Sequence, residues 1–130
     1  MSNRSTPGAF LGDWRITTME LWAKDAIELL GPGMFTFEDG AFGEIRFIAV
    51  RGWMDCRFAE RDGKPLVEFS WQGKDEMDDA SGRGWGIIED DGTLSGRIYF
   101  HQGDDSAFTA MRTTGRQRAA RRPRSGLRKL

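Results

Sequence analysis

The lone histidine of the chain, His101, is followed at short range by Asp104 and Asp105 in the segment HQGDD. An imidazole held by a carboxylate is the unit of general acid–base chemistry, and a strand end running into a turn could supply that geometry. No nucleophile motif accompanies the pair. Ser81 and Ser106 read as turn residues, and the single cysteine, Cys56, sits in the alternating run WMDCRFAE as a core thiol would. A non-enzymatic role is therefore preferred, and no catalytic residue is assigned. A second cluster is acidic: GKDEMDDASG carries Asp75, Glu76, Asp78 and Asp79. Hard divalent cations want several oxygens, but the D-x-D-x-D-G spacing of a calcium loop is missing. One histidine and one cysteine cannot build a zinc cage either, so no metal and no cofactor is expected. SGRGWG is glycine-rich but lies inside a strand-like run, where glycines mark bulges or close backbone approach rather than a phosphate cradle.

Charge divides the chain unevenly. From Arg116 to Leu130 there are seven basic residues and no acid, which leaves residues 1–115 with a net charge of −8. Residues 115–130, with Pro123 and Gly126 and little to bury, are expected to be a disordered tail. Its charge alone would suit a nucleic acid or another anionic surface, which the acidic body would repel. Residues 1–11 read as an arm without an apolar targeting core, and residues 12–114 as one domain. No run approaches the roughly 20 apolar residues of a membrane helix. A single cysteine suits a reducing compartment, so the cytoplasm is the expected location.

The elements that must position these residues are strands. Asp39-Gly40, Asp62-Gly63 and Asp91-Gly92 each stand between two alternating runs, and Asp-Gly suits hairpin turns whose central residues need positive φ. The three pairs are MFTFE with FGEIRFIAV, WMDCRFAE with PLVEFSW, and GRGWGIIE with TLSGRIYFH. An opening run from Trp14 to Trp22 and a closing run AFTAMR make eight strands. The Asp-Gly turns then fall at one end. The other end receives residues 23–33, a turn near Gly52, a loop over residues 72–82 and a turn over residues 102–105. That asymmetry predicts an all-β, eight-stranded antiparallel up-and-down barrel with a mouth. KDAIELLG is either a short helix stopped by Gly31-Pro32 or an extension of the first hairpin.

Gly12-Asp13-Trp14, at the start of the first strand, resembles the glycine-x-tryptophan signature of lipocalins and the wider calycin superfamily. The resemblance implies that Trp14 closes the barrel floor and that Arg112, near the end of the last strand, packs against it. The chain departs from secreted lipocalins in lacking a disulfide pair and an amphipathic helix after the last strand.

Alternation along each strand predicts the lining. It places Trp14, Ile16, Thr18, Glu20 and Trp22 on one face of the first strand, and Val67, Phe69 and Trp71 inward on the fifth. On the sixth it places Arg83, Trp85 and Ile87 inward. The expected ligand-binding set is Glu20, Trp22, Phe69, Trp71, Arg83 and Trp85, with Glu20 and Arg83 as a polar pair at the mouth. The interior either holds one small apolar or amphipathic ligand or is filled by its own side chains. In the second case the chain is an interaction module working through its acidic loops, or through a homodimer across the third strand, where Ile48 and Val50 give a second apolar face.

Overall fold

Asp62 and Gly63 both take positive φ, 54° and 79°, and Arg61 faces Lys64 directly across them. This is the two-residue hairpin geometry that Asp-Gly encodes. Gly40 (φ 82°) and Gly92 (φ 88°) mark the other two Asp-Gly turns, and the Asp91 carboxylate accepts from the Thr93 amide at 3.0 Å. The computed structural model describes residues 7–113; the basic tail expected over residues 115–130 lies outside them.

Eight strands follow in chain order. They are β1 (Gly12–Met19), β2 (Met34–Glu38), β3 (Phe42–Phe47), β4 (Val50–Arg61), β5 (Lys64–Asp75), β6 (Asp78–Ile88), β7 (Leu94–Phe100) and β8 (Asp105–Arg112). Each pairs antiparallel with the next, and β1 pairs with β8 to close an up-and-down barrel. A turn of helix at Lys24–Ile27 lies between β1 and β2, so the ambiguous segment is helical.

The interior is packed with rings. Phe35 is in contact with Phe69 (6.0 Å between centroids), Phe108 (4.6 Å) and Phe37, and Phe37 contacts Phe10 at the floor (5.4 Å). Towards the mouth, Phe100 meets Trp71 (5.2 Å), Phe47 (5.9 Å) and Trp22 (6.3 Å). A void able to take a ligand would leave accessible area on its lining. Ile16, Ile45 and Ile98 are 0% exposed, and Phe35, Phe47, Phe69 and Trp71 at most 5%. Eight strands enclose just enough space for side chains to fill, and here they fill it.

Both ends are closed by local structure. At the floor, residues 7–10 form a helical turn that inserts Phe10, which is fully buried. The Trp14 indole N–H donates to the Phe10 carbonyl (2.9 Å). The Arg112 guanidinium lies 4.3 Å from the Trp14 ring centroid and donates to the Leu11 carbonyl (2.7 Å) and to that of Ala9. Residues 7–10, within the N-terminal arm expected over residues 1–11, thus lie at the barrel floor. At the mouth, Ile27 is fully buried, and its carbonyl accepts from the Ile48 amide at 2.7 Å.

Several expectations are corrected. The acidic segment is no long loop: β5 and β6 continue through it in register to Asp75 and Asp78, leaving Glu76 and Met77 as the turn. The third strand ends at Phe47. Ile48 and Ala49 form the next turn, and Phe47 faces Val50 across it. Val50 then points inward, 4% exposed, and Ile48 packs on the core with φ 56°. The second apolar face disappears, and with it the argument for a dimer there.

Candidate binding groove

Beside this filled interior, the outer wall offers space among the described residues. Strand register sets the outward residues of β4 to β7 in rows. Trp53, Gln72, Ser81 and His101 form one row, and Asp55, Ser70, Arg83 and Tyr99 the next. Arg57, Glu68, Trp85 and Arg97 form a third. A groove of about 690 Å³ lies over the first two rows. It continues towards the mouth past Gly73, Asp79 and Ala80, and towards the floor past Glu68, Gly84 and Trp85. From Asp79 to Trp85 it follows six strand residues, about 20 Å.

Why these side chains face outward follows from β6. Its alternation is Gly82, Gly84, Gly86 inward and Arg83, Trp85, Ile87 outward. A Cβ at Gly84 would stand 2.3 Å from the Phe69 ring, and one at Gly86 2.8 Å from Leu94. Large inward residues on the neighbouring strands take the room, so only glycine fits, and β6 must turn its tryptophan and arginine out. Hydrophobic alternation misreads this strand because glycine carries no hydrophobic signal; the G-x-G-x-G spacing itself was the legible sign of close packing.

The expected ligand-binding set therefore separates. Arg83 and Trp85 border the groove from the outer face instead of lining the interior. Phe69 and Trp71 point inward as expected, in the core, and their strand also borders the groove. Trp22 is half-buried over Phe47 (5.8 Å) at the mouth. Glu20 does not meet Arg83. A register shift in β1 between Ile16 and Thr18 turns Met19 inward and Thr18 and Glu20 outward. Glu20 then accepts from Arg97 (3.1 Å) and from the Ala107 amide (3.2 Å). Sequence reasoning missed Trp53, Gln72, Ser70 and Tyr99, because alternation turns them to the outer face, where no site was expected.

The electrostatics of the wall are largely settled by pairing. Arg97 bridges Glu20 and Asp105, with the Asp105 hydrogen bond leading the upward shift of its pKa. Arg57 meets Asp55 at 3.3 Å, Arg51 meets Glu44 at 2.7 Å, and Lys74 pairs with Asp79, whose carboxyl it holds below the usual range. Near the floor, the Ser95 hydroxyl and Lys64 (3.0 Å) lower the pKa of Glu89. No hydrogen bond or ion pair joins His101 to Asp104 or Asp105 among the described residues, and Asp105 is taken by Arg97. Burial and then the charge of Asp55 push the Cys56 thiol up to about 12, which suits a core thiol and not a nucleophile.

Against that paired background, Ser70, Gln72, Ser81, Arg83, Tyr99 and His101 have no side-chain hydrogen bond or ion pair among the described residues. Arg83 makes a cation–π contact with Tyr99 at 5.9 Å, and Arg51 one with Trp53 at 5.3 Å. Trp53 is still 52% exposed. Such a groove can stack a ligand on aromatic faces while donors and acceptors from four strands bond its polar edge. Neither a protein-family model nor a curated protein matches the chain.

Proposed function

We propose that this chain is a non-enzymatic binding protein of calycin-like build, and that its small amphipathic ligand docks on the outer groove of β4 to β7. One observation carries the reading: aromatic faces and polar groups without protein partners converge on a groove of about 690 Å³, beside an interior that is filled. Binding sites combine apolar walls with a few placed polar groups, and strands hold such groups more rigidly than loops do. Residence in the cytoplasm, inferred from the single cysteine, belongs to the same proposal.

The test uses phenol and indole as minimal amphipathic rings, titrated against the ¹⁵N-labelled chain. Amide shifts should concentrate at Gln72, Ser81, Arg83 and Tyr99. They should fall away in a chain carrying both Arg83→Ala and Tyr99→Ala, with its fold unchanged. Shifts confined to the mouth segment or to interior residues would reject the groove as the site.

A further inference from the structure

The charge balance and shape of the groove narrow its ligand class, an inference that rests on the groove being the binding site. Arg83 is the only Arg or Lys of the three rows without an acidic partner among the described residues. A nucleic acid needs a cation for most of the phosphates it lays down, and one free guanidinium does not supply them. A basic peptide would need several free carboxylates in the groove, and among the described residues Glu68 alone is unpaired there, balanced by Arg83, since Asp55 is paired with Arg57 and Asp79 with Lys74. What remains is an electrically quiet track, about 20 Å long and open to solvent along its length.

Its unpartnered side chains are those that recognise hydroxyl groups. Ser70 and Ser81 both donate and accept, the Gln72 amide does the same in a plane, and Arg83 and His101 add further polar positions. Trp53 and Tyr99 stand at opposite sides of the track, on β4 and β7. The ring C–H bonds of a pyranose carry partial positive charge and sit favourably against the negative face of an aromatic ring. We infer that the groove binds a neutral oligosaccharide, stacked on Trp53 and Tyr99 and hydrogen-bonded across β5 and β6.

The test is calorimetric titration of the full chain with cellotetraose, maltotetraose and tetra-N-acetylchitotetraose, with a hexathymidylate oligonucleotide as the polyanionic comparison. At least one neutral tetrasaccharide should bind more tightly than its disaccharide, because the track is longer than one stacking platform. Trp53→Ala and Gln72→Ala should each weaken it about tenfold, with unchanged melting temperatures. If phenol and indole occupy the groove but no tetrasaccharide binds, the sugar assignment is wrong and the site stands. If neither rings nor sugars bind, both fail. Salt-sensitive binding of the oligonucleotide in preference to the sugars would overturn the assignment in favour of a single-stranded nucleic acid.

Discussion

Replacing Arg112 with methionine keeps the aliphatic stem and removes the guanidinium that ties the floor together. The guanidinium lies over Trp14 and bonds the carbonyls of Ala9 and Leu11, so it joins β8, β1 and the helical turn carrying Phe10. A cation–π contact at a partly exposed site contributes about 1 kcal/mol. Two hydrogen bonds to carbonyls contribute about 0.5–1.5 kcal/mol each, taken at the low end because Arg112 is exposed to solvent. The expected loss is about 2 kcal/mol, which for a domain of this size lowers the melting temperature by about 8 °C. Arg112→Lys separates charge from shape: an ammonium keeps the charge but lacks the planar fork that reaches two carbonyls while stacking on the indole. It should recover less than half of the loss. Thermal unfolding followed by near-UV circular dichroism reads both variants. An unchanged melting temperature in Arg112→Met, or full stability in Arg112→Lys, would refute the clamp.

Gly84→Ala should destabilise by about 1–3 kcal/mol, since its Cβ would stand 2.3 Å from Phe69 and 2.9 Å from the Arg97 carbonyl, and overpacking forces one of them to move. Urea unfolding measures it, and a neutral result would mean that β6 has room on its inner side. The Cys56 thiol, held protonated up to about pH 12, should be inert to Ellman's reagent in the native chain at pH 8 and react only on unfolding. The sign of its linkage is fixed: the unfolded thiol ionises near 9.0 while the native one keeps its proton, so stability falls above pH 9 by about 1.4 kcal/mol per unit. Cys56→Ala should flatten that limb. Glu89, lowered by Ser95 and Lys64, contributes stability that is present above the free value of 4.5 and lost as pH falls through its own lower value. Acid titration of Glu89→Gln should show a shallower loss than that of the parent chain.

Turn chemistry made the barrel legible. Three Asp-Gly pairs mark three hairpins and so six of the eight strands, and the opening and closing alternating runs supply the other two without any knowledge of the interior. Facing was legible only where bulk marked it. On β5, Val67, Phe69 and Trp71 point inward as expected, because the alternation of large and polar residues is unambiguous. On β6 the inward positions are glycines, so the strand's one tryptophan drew the reading to the wrong side. In β1 the register shift after Ile16 moved Glu20 out of the interior, and no residue type announces such a shift. Ile48 and Val50 misled for a related reason: a turn built on Ile48 with φ 56° looks in sequence like an unbroken β-branched strand. The groove was the least legible part. Its residues are strung along four strands as ordinary solvent-facing positions, and only the register brings Trp53, Gln72, Ser81 and His101 into one row.

The proposal that a ligand docks on the outer wall and not inside the barrel is tested most directly by offering the chain one molecule suited to both. Octyl β-glucoside below its micellar concentration presents an alkyl chain to any interior void and a sugar ring to the outer wall. In a sample with ¹⁵N amides and ¹³C-labelled isoleucine methyls, the account predicts shifts at the amides of Gln72, Ser81, Arg83 and Tyr99. The methyls of Ile16, Ile45 and Ile98, which are fully buried among the interior side chains, should stay fixed. Movement of those methyls with silent outer rows would show that the barrel opens to hold its ligand, and would contradict the filled interior on which this reading stands.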